Sequence, residues 1–311
     1  MDPNHKPQSK NYPDAVECPH CNANLLISDQ KYGIQSYFSG QHGICLACHK
    51  PLDSWELFLR FIRTKFFPER VLSLVGAIRT CIDLTLVPNT VQELTLAEYG
   101  IPEGSRILKI SASPEAPLLP CIASNQIYPV NLENARRLRL YPVHVFKQEA
   151  PRAGTCYLWI IWIPKSVDDY SWKNLADAFE SYHAGILEAV IIPANVSIES
   201  LLNRILLDLI SKYVPQNRAD AFLQSGATYS HQLNIILPLI TNLLGLPSMP
   251  DKIRGMLNRL RDHRNDIAHK GRTPKPLTRE DVAECLCAAL FGFYYLRMTE
   301  QAVRREQQRQ S

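Results

Sequence analysis

Leu260-Arg261-Asp262-His263-Arg264-Asn265-Asp266-Ile267-Ala268-His269-Lys270-Gly271 decides how the C-terminal half of this chain is read. Ile253, Met256 and Leu257 before it, and Leu260 and Ile267 within it, recur at the 3-and-4 spacing of an amphipathic helix with one buried face. Gly271 and Pro274 end that helix. At about 100° per residue from Leu260, Arg264 falls about 40° from the middle of the apolar stripe, Ala268 about 80°, Asn265 about 140° and His269 about 180°. An arginine at the edge of a core needs a partner, because a desolvated guanidinium left alone is costly. Glu199, upstream, is one carboxylate that could serve. The same trio also suits a phosphate: arginine offers a planar fork of donors, histidine moves protons near neutral pH, and asparagine orients both.

Working outward, the surrounding segment is basic. Residues 252–279 hold nine Lys/Arg against Asp262 and Asp266, a local excess of +7 in a chain whose net charge is only +4. Such concentration suits a polyanionic partner such as RNA, and equally a solvated basic helix face. Further helices are expected on either side. Ser171-Trp172-Lys173-Asn174 opens one through Leu175, Phe179, Tyr182, Ile186 and Val190 that should kink or break at Pro193. Ile198 to Ile210 and Leu233 to Leu244 give two more. Thr278-Arg279-Glu280-Asp281 starts the last, with Val282, Leu286, Leu290, Phe293 and Leu296 apolar and a frayed end from Arg304.

The motif stretch resembles the R-x4-6-H signature of the HEPN superfamily (higher eukaryotes and prokaryotes nucleotide-binding), including the polar residue after the arginine, here Asn265. Ala194-Asn195-Val196-Ser197-Ile198-Glu199-Ser200-Leu201-Leu202 and Tyr229 to Leu244 also fit that all-helical domain, so the resemblance covers roughly residues 172–305. It implies a dimeric, metal-independent endoribonuclease that cleaves by attack of the ribose 2′-OH on the adjacent phosphate. Arg264, Asn265 and His269 would be catalytic, and Arg261, Lys270 and Arg272 would contact RNA. A role in antiviral defence or as a toxin follows from the resemblance alone. The alternative is a non-catalytic RNA- or protein-binding protein that dimerises through its helices and docks through its N-terminal module.

That N-terminal module carries the strongest local signal. Cys18-Pro19-His20-Cys21 and Cys45-Leu46-Ala47-Cys48 are two C-x2-C pairs, each of which lets backbone amides point at thiolates while four sulfurs converge on one ion. A structural Zn²⁺ held by Cys18, Cys21, Cys45 and Cys48 is expected, with His20 and His49 outside the ligand set. Between the pairs, Ile34 to Phe38 and Ser39 to Ile44 read as strand, turn, strand, and the whole resembles a zinc ribbon. Residues 1–54 carry four Lys against five Asp/Glu, so the ribbon has no basic patch and suits a structural or protein-docking role.

The resulting organisation is a multidomain α+β chain: a mobile leader over 1–17, a zinc ribbon over 18–54, a β-rich or α+β middle domain over 55–170, an all-α bundle over 171–305 and a polar tail over 306–311. Asp53-Ser54-Trp55-Glu56 caps a helix at the start of the third part, and a second short helix is expected after Pro68. Ile78 to Leu86, Arg106 to Ile110 and Thr155 to Ile163 have the alternation or β-rich content of strands. The middle domain shows no Gly-rich phosphate loop and no nucleophile elbow, and Trp159 and Trp162 read as core. Nine cysteines without a disulfide pattern, a polar N-terminus and apolar runs at Tyr157–Ile163 and Ile235–Leu246 too short to span a bilayer point to the cytoplasm and no membrane.

Overall fold

The computed structural model describes residues 9–11, 15–26, 34–40, 43–63, 77–87, 89–114, 118–121, 137–144, 153–165 and 169–310. Residues 1–13 and 72–168 form one compact unit, and residues 14–71 and 169–311 another. The helix expected after Pro68 lies outside the described residues.

The first unit is built from strands β1 (Ser9–Asn11), β6 (Ile78–Leu86), β7 (Gln92–Thr95), β8 (Arg106–Pro114), β9 (Leu118–Cys121), β10 (Arg137–His144) and β11 (Gly154–Ile163). A four-stranded antiparallel sheet has the order β1-β6-β11-β8, and a three-stranded one the order β7-β10-β9. The alternation read in β6 is real: Ile82, Leu84 and Leu86 are buried while Asp83 and Thr85 are exposed. They join Cys156, Leu158, Ile160 and Trp162 of β11 and Leu138 and Leu140 of β10 in one core. Trp162 is buried and donates from Nε1 to Thr80 Oγ1 at 2.9 Å, so its polar edge is satisfied inside. The leader expected to be mobile is instead in use: Ser9 to Asn11 pair with Ile82 to Thr80, and Ala15 to Glu17 form a strand in the second unit.

In the second unit, β2 (Ala15–Glu17) pairs with β3 (Asn24–Leu26), and β4 (Gly43–Ile44) with β5 (Pro51–Leu52). Between them Ile34–Phe38 is a short helix, α1, rather than the expected strand. Its last two residues, Tyr37 and Phe38, explain why. Phe38 is 5 % exposed and its ring stands edge-on to Phe291 and Tyr295 of the last helix, at 6.2 and 5.1 Å, while Tyr37 meets Phe291 at 5.0 Å. Two neighbouring side chains can reach one surface from a helix, whereas on a strand they would point to opposite faces.

Helix α2 (Ser54–Arg63) begins where expected, with Asp53 Oδ1 accepting from the Trp55 amide at 2.8 Å. It belongs to this unit and not to the β-rich one, which corrects the expected boundary at residue 55. The physical cause is its apolar face: Trp55 and Phe58 lie on Phe291 at 5.5 and 5.8 Å. The ribbon and α2 are therefore one wall of the helical core.

The bundle itself comprises α3 (Tyr170–Ala184), α4 (Glu188–Ile210), α5 (Gln216–Ala221), α6 (Tyr229–His231), α7 (Leu237–Leu243), α8 (Asp251–Lys270) and α9 (Arg279–Gln310). The break expected at Pro193 falls eight residues earlier. Gly185, at φ 80°, closes α3 with amide bonds from Gly185 to Tyr182 and from Ile186 to Ser181, and Pro193 sits inside α4. A π-helical turn over Gln232–Ile236 joins α6 to α7, next to Pro238, whose missing amide leaves the ladder to adjust. Every residue from Cys285 to Phe293 of α9 is buried, so this helix is surrounded on all sides. At Gly292 an added Cβ would meet Leu257 Cδ1 at 3.0 Å and Ile198 Cδ1 at 3.5 Å, which is how α4, α8 and α9 approach so closely. The tail expected to fray is helical to Gln310, kept in register by buried Val303 and by ion pairs such as Arg304 with Glu300 at 2.9 Å.

Two helices, α4 and α9, are long and apolar enough to cross a membrane by length and composition, but 56 % and 78 % of their apolar windows are buried inside the unit. They are its core.

Candidate metal centre and the polar end of the motif helix

The two C-x2-C pairs occupy equivalent turns. Cys18 to Cys21 lie between β2 and β3, and Cys45 to Cys48 between β4 and β5. In the first, the Cys18 amide donates to Ala23 O at 2.9 Å and the Asn22 amide to Cys18 O at 3.0 Å; in the second, the Cys45 amide donates to Lys50 O at 3.0 Å and the His49 amide to Cys45 O at 2.8 Å. Asn22 and His49, each directly after the second cysteine, take φ values of 59° and 57°, the left-handed turn that folds both thiols inward.

The four sulfurs lie within 4.8 Å of one another, with Cys18 Sγ 3.8 Å from Cys48 Sγ and Cys21 Sγ 3.6 Å from Cys45 Sγ. A tetrahedral ion with metal–sulfur bonds of about 2.3 Å has sulfur–sulfur edges of about 3.8 Å, which the two closest sulfur pairs match, so the donor set is positioned to hold a metal ion. The electrostatics agree. Backbone amides of Cys48 and Ala47 outweigh burial and bring the Cys45 thiol down to about 6. At Cys21 the Ala23 amide lowers the thiol, but burial and the three neighbouring sulfurs outweigh it and push it up to about 12. Four thiolates cannot share this volume without a cation between them. His20 points elsewhere, with Nε2 3.2 Å from Pro51 O.

The motif helix α8 buries Ile253, Leu257 and Leu260, and no residue after Leu260 is fully buried. Its last ten residues therefore emerge from the core. Arg264 is half-buried, and its Nη1 donates to Asn265 Oδ1 at 3.1 Å. Among the described residues no carboxylate pairs with it: Glu199 accepts instead from Asn195 Nδ2 at 3.1 Å. Asn265 and His269, four residues apart, share one helix face, with His269 exposed. Arg264 and His269 are five residues apart, about 140° around the axis, and do not meet within one chain. The other histidine, His263, is half-buried; burial first, then Arg259, hold it below the ordinary histidine range.

The basic segment is smaller than its composition suggests. Five of the nine cations face carboxylates: Lys252 with Glu56, Arg254 with Asp251, Arg259 with Asp281, Arg261 with Asp262 and Lys270 with Asp266. Among the described residues Arg264, Arg272, Lys275 and Arg279 have no such partner, and all four lie at the end of α8 or between it and the first turn of α9. Of the three residues expected to contact RNA, Arg261 and Lys270 are thus neutralised locally and Arg272 is not.

Sequence reasoning missed a partly buried ionic clamp. Asp169 caps α3 through the Trp172 amide at 2.8 Å and pairs with Arg204 at 3.1 Å and with Arg297; Glu300, 8 % exposed, takes Arg204 at 3.3 Å and Arg297 at 2.9 Å. Its bonded partners are up to 128 residues apart, so no local pattern announces them. No family model, curated protein or solved structure matches this chain.

Proposed function

We propose that the protein is a HEPN-like, metal-independent endoribonuclease acting as a homodimer in the cytoplasm, in defence or as a toxin, with Zn²⁺ in the four-cysteine site as a structural ion. The observation that carries this reading is Arg264, a half-buried guanidinium held by a neutral amide, with exposed His269 beyond it on the face of Asn265. Such an arginine keeps its charge for a phosphate, and His269 is placed to reach solvent and substrate. Zinc is the ion that suits four tetrahedral thiolates in a closed site.

The cleavage needs two proton movements. One His269 takes the proton of a ribose 2′-OH as its oxygen attacks the adjacent phosphorus, and a second His269, from the other copy, gives a proton to the departing 5′-oxygen. Arg264 holds the non-bridging oxygens, where charge builds up in the transition state, and Asn265 orients Arg264 and His269. The products carry a 2′,3′-cyclic phosphate and a 5′-OH. Because Arg264 and His269 diverge within one chain, a facing copy completes the constellation. That same divergence favours the second reading, a protein that binds RNA without cutting it.

Labelled mixed RNA incubated with wild type, Arg264→Ala and His269→Ala in excess chelator separates the two. Cleavage to cyclic-phosphate ends that vanishes in both variants supports the nuclease. Intact RNA with folded, dimeric wild type, and RNA binding kept by His269→Ala, supports binding alone.

A further inference from the structure

The first turn of α9 carries a cluster that the cleavage chemistry does not use. Arg279 lays its guanidinium over the ring of Tyr182 in α3, 4.5 Å from the centroid, and Arg63 at the end of α2 pairs with Glu280. Tyr182 is fully buried, and among the described residues its hydroxyl makes no hydrogen bond of full geometry, Arg279 being the group placed to donate to it. Among the described residues Arg279 Nη2 and Arg63 Nε are also buried without an acceptor of full hydrogen-bond geometry. Burial raises the Tyr182 hydroxyl, and Arg279, by its charge and as a hydrogen-bond donor, and Arg63, by its charge, pull against that rise. Buried donors left unpaired are costly, and three in one place, against the single carboxylate of Glu280, call for an acceptor-rich ligand.

We propose that Tyr182, Arg63 and Arg279 form a binding site for a phosphate group at the N-terminus of α9, with Glu280 holding Arg63 until the anion displaces it. A phosphate has enough oxygens to meet three donors from three directions, where a carboxylate has two, and the positive end of a 32-residue helix adds to the attraction. The lip of the site is open to solvent: the Arg63 side chain is 37 % exposed and that of Glu280 56 %. Glu280 is thus an internal competitor, not a permanent partner. Arg279 is also one of the four cations of the basic segment that, among the described residues, lack a carboxylate partner. Arg259 of α8, ten residues and about 15 Å of helix rise before His269, pairs with Asp281 in this same turn. Phosphate here stands for either a nucleic-acid backbone or a free phosphate or phosphomonoester, and the site does not depend on whether α8 cleaves RNA.

The test uses the full-length, metal-loaded protein with inorganic phosphate as probe, read by thermal shift and titration calorimetry, chloride controlling for ionic strength. Phosphate is expected to raise the Tm of the wild type. Tyr182→Phe keeps the ring under Arg279 and removes a hydroxyl that lacks a hydrogen bond of full geometry, so its Tm without phosphate is unchanged or higher while the phosphate-induced rise shrinks. Arg279→Gln abolishes the rise. Glu280→Gln, at an exposed position, tightens phosphate binding several-fold. His269→Ala leaves phosphate binding unchanged, so failure here and failure of the cleavage chemistry are told apart. A labelled single-stranded RNA displaced by phosphate from the wild type and weakly held by Arg279→Gln identifies a backbone phosphate; phosphate binding with RNA undisturbed identifies a small phosphate ligand. No stabilisation of the wild type, or equal stabilisation of wild type, Tyr182→Phe and Arg279→Gln, overturns the site.

Discussion

Phe291→Ala tests whether the ribbon and the bundle are one cooperative structure. Phe291 is fully buried, and four rings from outside its own helix lie on it: Tyr37 and Phe38 of α1 at 5.0 and 6.2 Å, Trp55 and Phe58 of α2 at 5.5 and 5.8 Å. A buried Phe→Ala change costs about 3–5 kcal/mol, and ring contacts of this geometry add about 0.5–1.5 kcal/mol each within that range, so a loss near the upper end, about 4–5 kcal/mol, is expected. Because α1 hangs between the two cysteine pairs, the loss must also appear as faster metal release. Urea unfolding followed by far-UV circular dichroism gives the first quantity, and release of metal to a chromogenic chelator gives the second. Leu46→Ala, at a 68 % exposed knuckle position, serves as control and should change stability by no more than about 0.5 kcal/mol. A Phe291→Ala cost under about 1 kcal/mol, or metal release as slow as in the wild type, would show that the ribbon folds by itself and refute the shared core.

Removing the metal with a strong chelator is expected to lower the Tm of the helical unit as well as the ribbon, read by circular dichroism with and without added zinc. At Asp169 burial raises the carboxyl, but the Trp172 amide, Arg297 and Arg204 together outweigh it and hold it below its ordinary value. Its contribution is therefore complete above the unfolded value of about 4 and lost as pH falls through the lower folded value. Asp169→Asn, which keeps the cap but not the charge, should flatten the acid limb of a stability–pH curve and cost about 1–3 kcal/mol at pH 7. Gly292→Ala gains up to about 1 kcal/mol of helix propensity but presses a methyl to 3.0 Å from Leu257, an overpacking of about 1–3 kcal/mol, so a lower Tm is expected. In RNA-binding titrations Arg272→Ala and Lys275→Ala should each reduce the salt dependence, while Lys270→Ala, whose charge Asp266 already meets at 2.6 Å, should change it less.

The elements that local pattern controls were legible. Two C-x2-C pairs specify two tight turns whatever surrounds them, and alternation in Ile78–Leu86 and a 3-and-4 stripe through Leu260 specify a strand and a helix because each periodicity is a property of the backbone itself. Asp53 and Thr278 announced helix starts for the same reason: a capping side chain bonds to amides two or three residues away. The misreadings fall where a distant partner overruled the local signal. Ile34–Phe38 is a helix because two neighbouring rings must reach one surface of α9, and α2 left the β-rich region because Phe291 gave its apolar face a place to pack.

Sequence alone therefore determined the donor set for a metal, the helix that bears Arg264, Asn265 and His269, and a net positive charge around it. Tertiary structure decided how much of that charge is available. It brought carboxylates from α2 and α9 to Lys252 and Arg259, joined Asp169 to Arg297 across 128 residues, and, among the described residues, left Arg264, Arg272, Lys275 and Arg279 without a carboxylate partner. Charge count is additive along a chain, but pairing depends on distances of a few ångströms between residues that only the folded packing brings together.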